Sequence, residues 1–127
     1  MKIRQDFVTN SSSSSYIISF DSNGFDLKNP FVKICWKFMI GDGKFIRNEN
    51  DLNNNFIDDY GYGDCKTIES ILKNDKFLEE RYNEILNELK AGKFILQRDV
   101  DYNDETTSEI IEQLAKQEQI KILQGDY

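Results

Sequence analysis

The stretch that most constrains the fold of this chain is residues 31–46, FVKICWKFMIGDGKFI, which holds its most apolar and most regularly patterned residues. Side chains on an extended strand point alternately to two faces. The pattern therefore predicts a strand with one buried face and one half-exposed face. The residues on the buried face of that strand are Val32, Ile34, Trp36, Phe38 and Ile40.

The Gly-Asp-Gly sequence at residues 41–43 predicts that this strand turns back as a hairpin. Glycine and aspartate tolerate the positive φ angles that a tight hairpin turn needs. A two-residue turn would place Phe45 opposite Ile40, and a three-residue loop would place Ile46 there instead. Both registers are open, and in either one the hairpin forms the spine of the fold.

Two further kinds of segment surround the hairpin. Period-two alternation predicts strands at residues 16–20, 93–102 and 120–124. Residues 48–64 are rich in asparagine and aspartate and contain few apolar side chains, so they are expected to form a long irregular loop.

Three helices are predicted from capping residues followed by apolar residues at helical spacing. The first begins after Thr67, and the second begins after Asn74 or Asp75. The third begins with a capping box in which Thr106 and Glu109 satisfy each other's free amides.

The resulting element order is βββααβαβ, which predicts an α+β fold with a mainly antiparallel sheet and helices packed on one face. A length of 127 residues fits a single domain over residues 1–127. Residues 1–15 end in five serines and are expected to be a flexible segment.

Arg98 lies on the same predicted strand face as the apolar residues Phe94, Leu96 and Val100. Either a bulge turns the arginine outward, or it is partly buried and paired with a carboxylate.

Composition narrows the classes of function. The chain has 16 Lys and Arg against 23 Asp and Glu, and the net charge of −7 disfavours nucleic acid and anionic membranes as partners. It has no histidine, so the commonest general base and metal ligand is missing. No apolar run approaches the roughly 20 residues of a membrane span. We therefore expect a cytoplasmic protein. We assign no catalytic residue, cofactor or metal site from the sequence, and the oligomeric state stays open.

The segment DFVTNSSSSS at residues 6–15 precedes a run of aromatic and β-branched residues. It resembles the N-terminal segment of many uncharacterised small proteins encoded by low-GC Gram-positive bacteria and their mobile elements. The resemblance covers residues 2–18 and implies a genomic setting rather than a chemistry.

Acidic side chains predict an interaction surface. Glu80, Glu84 and Glu88 repeat every four residues, so they form one like-charged row along a helix. A surface that tolerates this repulsion suits a basic protein partner, and the mobile-element resemblance suggests an inhibitor of a nucleic-acid-binding protein. An acidic surface that only keeps the protein soluble explains the same charges. Residues 99–112 form a second acidic cluster, and this range contains no Lys or Arg. The acidic residues of the cluster are Asp99, Asp101, Asp104, Glu105, Glu109 and Glu112.

The alternative hypothesis is a small-ligand, phosphate or nucleotide site, with or without enzymatic activity. Hydroxyls and consecutive amides of a serine run could bind an anion. However, the run lacks the glycines of phosphate-binding loops, and the loop before Thr67 lacks the P-loop spacing. The candidate ligand-binding residues are Ser11, Ser12, Ser13, Ser14, Ser15, Tyr60, Tyr62, Cys65, Lys66 and Arg98.

Overall fold

Four strands form the centre of the fold. The computed structural model describes residues 13–21, 23–64 and 66–125. Within these ranges the strands are β1 (Ser13–Asp21), β2 (Lys44–Ile46), β3 (Lys93–Asp101) and β4 (Ile120–Gln124). They form one antiparallel sheet in the order β2-β3-β1-β4, so that the two longest strands lie in the middle.

The described residues also form helices on both faces of this sheet. The α1 and α5 helices pack on one face, and the other three pack on the opposite face. No helix in this part of the chain is both long and apolar enough to cross a bilayer. The helices are α1 (Pro30–Ile40), α2 (Glu49–Tyr60), α3 (Ile68–Asn74), α4 (Lys76–Lys90) and α5 (Glu105–Lys116).

The α+β class and the antiparallel sheet are therefore confirmed, whereas the placement of all helices on one face is wrong. The central strands explain the difference, because each carries adjacent apolar residues that point to opposite faces. In β1, Ile17 and Ile18 belong to different core clusters, and in β3 the same holds for Ile95 and Leu96. A strand buried on both faces needs a helical layer on each.

The predicted hairpin at residues 31–46 is wrong, because most of this stretch forms α1. The Asn29 side chain caps the helix by accepting hydrogen bonds from the amides of Phe31 (2.9 Å) and Val32 (3.4 Å). Pro30 at the first helical position has the fixed φ that a helix start favours. The residues after the helix form β2, which pairs with β3, so neither predicted hairpin register occurs.

The predicted loop at residues 48–64 is also wrong over most of its length, because it contains α2. Asn48 caps this helix by accepting a hydrogen bond from the amide of Asp51 at 2.8 Å. Leu52 and Phe56, four residues apart, are both buried against the sheet. Burial of this single apolar stripe outweighs the low helix propensity of the asparagines and aspartates around it.

The other elements follow the sequence predictions more closely. Thr67 caps α3 and Asp75 caps α4, as expected. The predicted capping box at Thr106 is wrong, because α5 begins earlier: the Asp104 side chain accepts hydrogen bonds from the amide and hydroxyl of Thr107. The β1 strand begins at Ser13, so it includes three of the serines that the sequence predicts to be flexible.

An aromatic cluster centred on Phe20 holds β1 against α1. Phe20 is 2% exposed, and its ring makes edge contacts with four others. The centroid distances from Phe20 are 6.3 Å to Phe25, 5.5 Å to Trp36, 6.1 Å to Phe45 and 6.1 Å to Phe94.

The α5 helix ends in a backbone conformation that its sequence does not favour. The amide of Glu118 donates to the carbonyl of Ala115 and the amide of Gln119 donates to the carbonyl of Leu114, both at 3.0 Å. This pattern places residue 118 in the left-handed region, at a φ of 61°, where glycine is the usual residue.

Replacing Glu118 by glycine is therefore expected to raise the free energy of unfolding by about 1 kcal/mol, because it removes the left-handed strain. Urea denaturation measures the change. As a matched control, Glu109→Gly inside α5 should lower the free energy of unfolding by about 1 kcal/mol. Equal losses at both positions would contradict this account of the helix end.

Candidate interaction face

The α1 helix exposes a line of large apolar side chains. Phe31 is 80% exposed, Ile34 is 52% exposed and Phe38 is 40% exposed. Residues spaced by three and four lie above one another on a helix, so these three form a continuous stripe, which we call the α1 ridge. The ridge exists because α1 is apolar on nearly all sides, whereas the sheet covers only one of them.

A groove runs beside the ridge, between α1 and α5. Its volume is about 250 Å³ and its lining is mostly apolar. The thiol of Cys35 is free and lines it. We call it the α1–α5 groove; its lining residues are Phe31, Val32, Cys35, Glu109, Ile110, Gln113, Leu114, Gln117 and Gln119.

Charged side chains flank the ridge and groove with opposite signs. Glu109 lies on the α5 side of the groove, and Glu105 lies one turn earlier on the same helix. Lys33 and Lys37 are exposed on α1. At 3.6 residues per turn they lie roughly 180° around the helix from Cys35, on the far side of the ridge. The order across the face is therefore lysines, ridge, groove and glutamates.

The acidic cluster at residues 99–112 contains one carboxylate that caps α5 and others that accept hydrogen bonds without forming an ion pair among the described residues. The Thr107 hydroxyl and then its amide donate hydrogen bonds that hold the pKa of Asp104 below its ordinary value, so this residue serves α5 as a cap. Asp99 accepts a hydrogen bond from the Ser15 hydroxyl at 2.9 Å. Among the ion pairs of the described residues, none involves Asp99, Asp101, Glu105 or Glu109. The half-buried Glu112 completes the predicted cluster.

The glutamate row on α4 is largely neutralised. Glu84 pairs with Arg81 at 3.0 Å, and Glu88 pairs with Lys121 at 3.2 Å. Glu80 is exposed on the same helix. The repulsion inferred along this row is therefore wrong for two of its three members, because basic residues on the same helix and on β4 reach them.

Glu88 also predicts a pH dependence of stability. The Ser19 hydroxyl donates to its carboxylate at 2.6 Å, and this bond, with help from Lys121, holds the pKa of Glu88 below its ordinary value although burial opposes the shift. The charged form is thus favoured in the folded state. Its stabilisation is present above the unfolded pKa and is lost as the pH falls through the folded pKa.

We expect Glu88→Gln to destabilise the protein at neutral pH and to lose less stability than the natural sequence as the pH falls below about 4.5. Urea unfolding at a series of pH values between neutral and acidic measures both effects. Glu80→Gln removes the same charge from an exposed position and should leave the pH profile unchanged. Parallel profiles for the natural protein and Glu88→Gln would contradict the assignment.

Arg98 is used inside the fold. Its guanidinium pairs with Asp42 at 3.2 Å, and its Nε donates to the carbonyl of Met39 at 3.2 Å. It also donates to the carbonyls of Phe38 and Asp99. The strand pairing around it is regular, so the expectation of a partly buried arginine that is paired with a carboxylate is confirmed. Arg98 satisfies carbonyls at the end of α1.

Of the other candidate ligand-binding residues, Ser14 and Ser15 lie beside Arg98, on the neighbouring strand β1, whereas Tyr60 does not. Tyr60 packs on Phe56, on the face of the sheet opposite to Arg98, and burial followed by the nearby Asp59 raises its pKa. Tyr62 and Lys66 are exposed, and Ser14 is buried in β1. Ser11, Ser12 and Cys65 lie outside the described residues. Over the described ranges, no three Cys, Asp or Glu side chains are placed to hold a metal ion.

Sequence reasoning missed the α1 ridge because it assigned the wrong periodicity to α1. The signal that could have found it is the Asn29-Pro30 pair, a capping residue followed by the residue favoured at the first helical position. When residues 30–40 are placed on a helix, Phe31, Ile34 and Phe38 lie on the side away from the buried stripe.

Comparisons of the chain with protein-family models, with curated proteins and with solved structures find no match.

Proposed function

We propose that this chain is a non-enzymatic interaction protein that binds another protein through the α1 ridge and the α1–α5 groove. The observation that carries the proposal is the exposure of Phe31, Ile34 and Phe38 in one line beside an apolar groove. Contiguous apolar side chains on a water-exposed helix are typical of binding surfaces. A surface serving solubility alone would carry polar residues at these positions.

The size of the side chains supports a binding role. Fully burying a Phe or Ile side chain is worth about 1.5–3 kcal/mol relative to leaving it exposed. Interfaces depend on a few such anchors near their centre, with polar residues at the rim. The α1 ridge supplies three anchors, and the glutamine and glutamate side chains of α5 supply one rim.

Charge defines the chemistry of the partner. Glu109 lines the groove and Glu105 is exposed one turn earlier on α5, and neither takes part in the ion pairs of the described residues. They favour a protein segment that places apolar side chains in the groove and Lys or Arg along α5. We therefore propose this face as the binding site for the basic partner inferred from the sequence. The narrower hypothesis of a mobile-element inhibitor stays a prediction.

A pair of labelled helical peptides tests the proposal. One peptide of about 20 residues carries a stripe of Leu and Phe flanked by lysines, and the other carries glutamates in place of the lysines. We expect fluorescence anisotropy to show binding of the basic peptide only, weakening as salt rises. Ile34→Asp, which places a charge in the ridge without disturbing the core, should weaken binding at least tenfold.

Phe77→Asp is the matched control, because Phe77 is 65% exposed on α4, on the other face of the sheet. It should bind the basic peptide as the natural protein does. Equal binding of the two peptides would overturn the predicted partner chemistry. Unchanged binding by Ile34→Asp would overturn the assignment of the face.

A further inference from the structure

We infer that the partner of this face is a second copy of the chain, and that the two copies pack about a two-fold axis parallel to α1. The inference rests on the proposed function, since it uses the same ridge and groove. The α1 helix of the second copy occupies the groove of the first.

The shape of the face is self-complementary. The α1 ridge and the α1–α5 groove lie side by side and share Phe31, and the groove borders the first half of α1. A two-fold axis that runs parallel to α1 between them exchanges their positions when a second copy is laid on the first. The ridge of each copy then faces the groove of the other. The dimer therefore contains two equivalent ridge–groove contacts, one on each side of the axis.

The charges are complementary under the same rotation. Lys33 and Lys37 lie beyond the ridge, whereas Glu109 lies beyond the groove. The axis parallel to α1 brings the lysines of each copy opposite Glu109 of the other. An axis in the interface but perpendicular to α1 would place lysine on lysine and glutamate on glutamate. Charge therefore selects the arrangement in which the two α1 helices run parallel.

The second copy also has the chemistry that the face requires. Its α1 presents three apolar side chains flanked by two lysines, which matches an apolar groove flanked by a glutamate. Each copy carries a net charge of −7, which opposes association at long range. At physiological salt the screening length is about 8 Å, so distant charges contribute little compared with the pairs at the rim.

Analytical ultracentrifugation of the full chain over a series of concentrations tests the association. We expect a monomer–dimer equilibrium for the natural sequence, a monomer for Ile34→Asp and an unchanged equilibrium for Phe77→Asp. Circular dichroism of each variant verifies that it is folded. A natural chain that stays monomeric throughout, or a dimer that survives Ile34→Asp, overturns the inference.

Charge exchange tests the axis. Lys37→Glu and Glu109→Lys should each weaken the dimer about tenfold, and the double variant should recover most of the loss. An axis perpendicular to α1 predicts no recovery, because residue 37 would still face residue 37 of the other copy, and residue 109 would still face residue 109, with like charges in both contacts. Additive losses in the double variant would therefore overturn the parallel arrangement.

Reaction of Cys35 with a maleimide gives an independent readout in a Cys65→Ser background. Cys35 lines the groove, so we expect its labelling rate to fall as the protein concentration rises into the dimer range. A rate independent of concentration while the dimer forms would overturn the use of this groove.

The Lys37→Glu variant separates the two proposals. If this variant is monomeric and binds the basic peptide, the proposed function stands whether or not the natural chain dimerises.

Discussion

Replacing Phe20 by alanine is expected to lower the free energy of unfolding by about 3–5 kcal/mol. Phe20 is 2% exposed and contacts the rings of Phe25, Trp36, Phe45 and Phe94. Removing its ring deletes buried apolar area and leaves a cavity shared by β1, α1, β2 and β3. Four rings that pack by their edges cannot all move into one space without losing other contacts.

Urea denaturation followed by tryptophan fluorescence measures the loss, since Trp36 is the single tryptophan and lies 5.5 Å from the Phe20 ring. The emission of folded Phe20→Ala should also change, because the environment of Trp36 changes. Phe77→Ala, at a position that is 65% exposed, should change the stability by about 0.5 kcal/mol or less. A loss below about 1.5 kcal/mol for Phe20→Ala would contradict the central role of this cluster.

The same cluster shows what the sequence could predict. The predicted strands around β1, β3 and β4 are confirmed, because short runs rich in β-branched and aromatic residues are typical of strands even where both faces are buried. The pattern correctly places Trp36 in the core region, yet in a strand rather than a helix. Val32, Trp36 and Ile40 fit both a strand face and a helical stripe, since spacings of four satisfy both periods.

Capping residues resolve that ambiguity better than periodicity. Asn29 with Pro30 starts α1, and Asn48 starts α2. The sequence predicts both segments as non-helical because their interior residues are atypical of helices: α1 is almost entirely apolar, and α2 is rich in asparagine and aspartate. Tertiary packing on the two faces of the sheet decides such segments, and local propensity does not contain it.

The candidate face was beyond sequence reasoning for a related reason. Its residues lie on α1 and α5, which are far apart in the chain and meet only because both helices cover the same face of the sheet. Acidic clusters at residues 80–88 and 99–112 can be seen in the sequence, and so can the local Arg81–Glu84 spacing, but long-range pairing cannot. Lys121 on β4 reaches Glu88 on α4 across the edge of the sheet, at a separation in sequence that no local pattern records.

The second large effect is expected at the end of α1, where Gly41→Ala should lower the free energy of unfolding by about 2–5 kcal/mol. Gly41 has a φ of 45° and a ψ of −124°, which disfavour any residue with a side chain. A Cβ atom at this position would lie 2.4 Å from Nη2 of Arg98 and 2.5 Å from its Cζ. The guanidinium cannot withdraw without losing its bonds to Asp42 and to the carbonyl of Met39.

Gly92→Ala separates the two causes of this loss, because Gly92 has a φ of 87° and an added Cβ atom there would meet no described residue within 4 Å beyond its chain neighbours. It should show the backbone cost alone, about 1–2 kcal/mol. In an Arg98→Ala background the clash disappears, so Gly41→Ala should then cost less than it does in the natural sequence. Chemical denaturation of the single and double variants completes the cycle. If Gly41→Ala costs the same with and without Arg98, the guanidinium does not hold the end of α1, and the loss comes from the backbone of residue 41 alone.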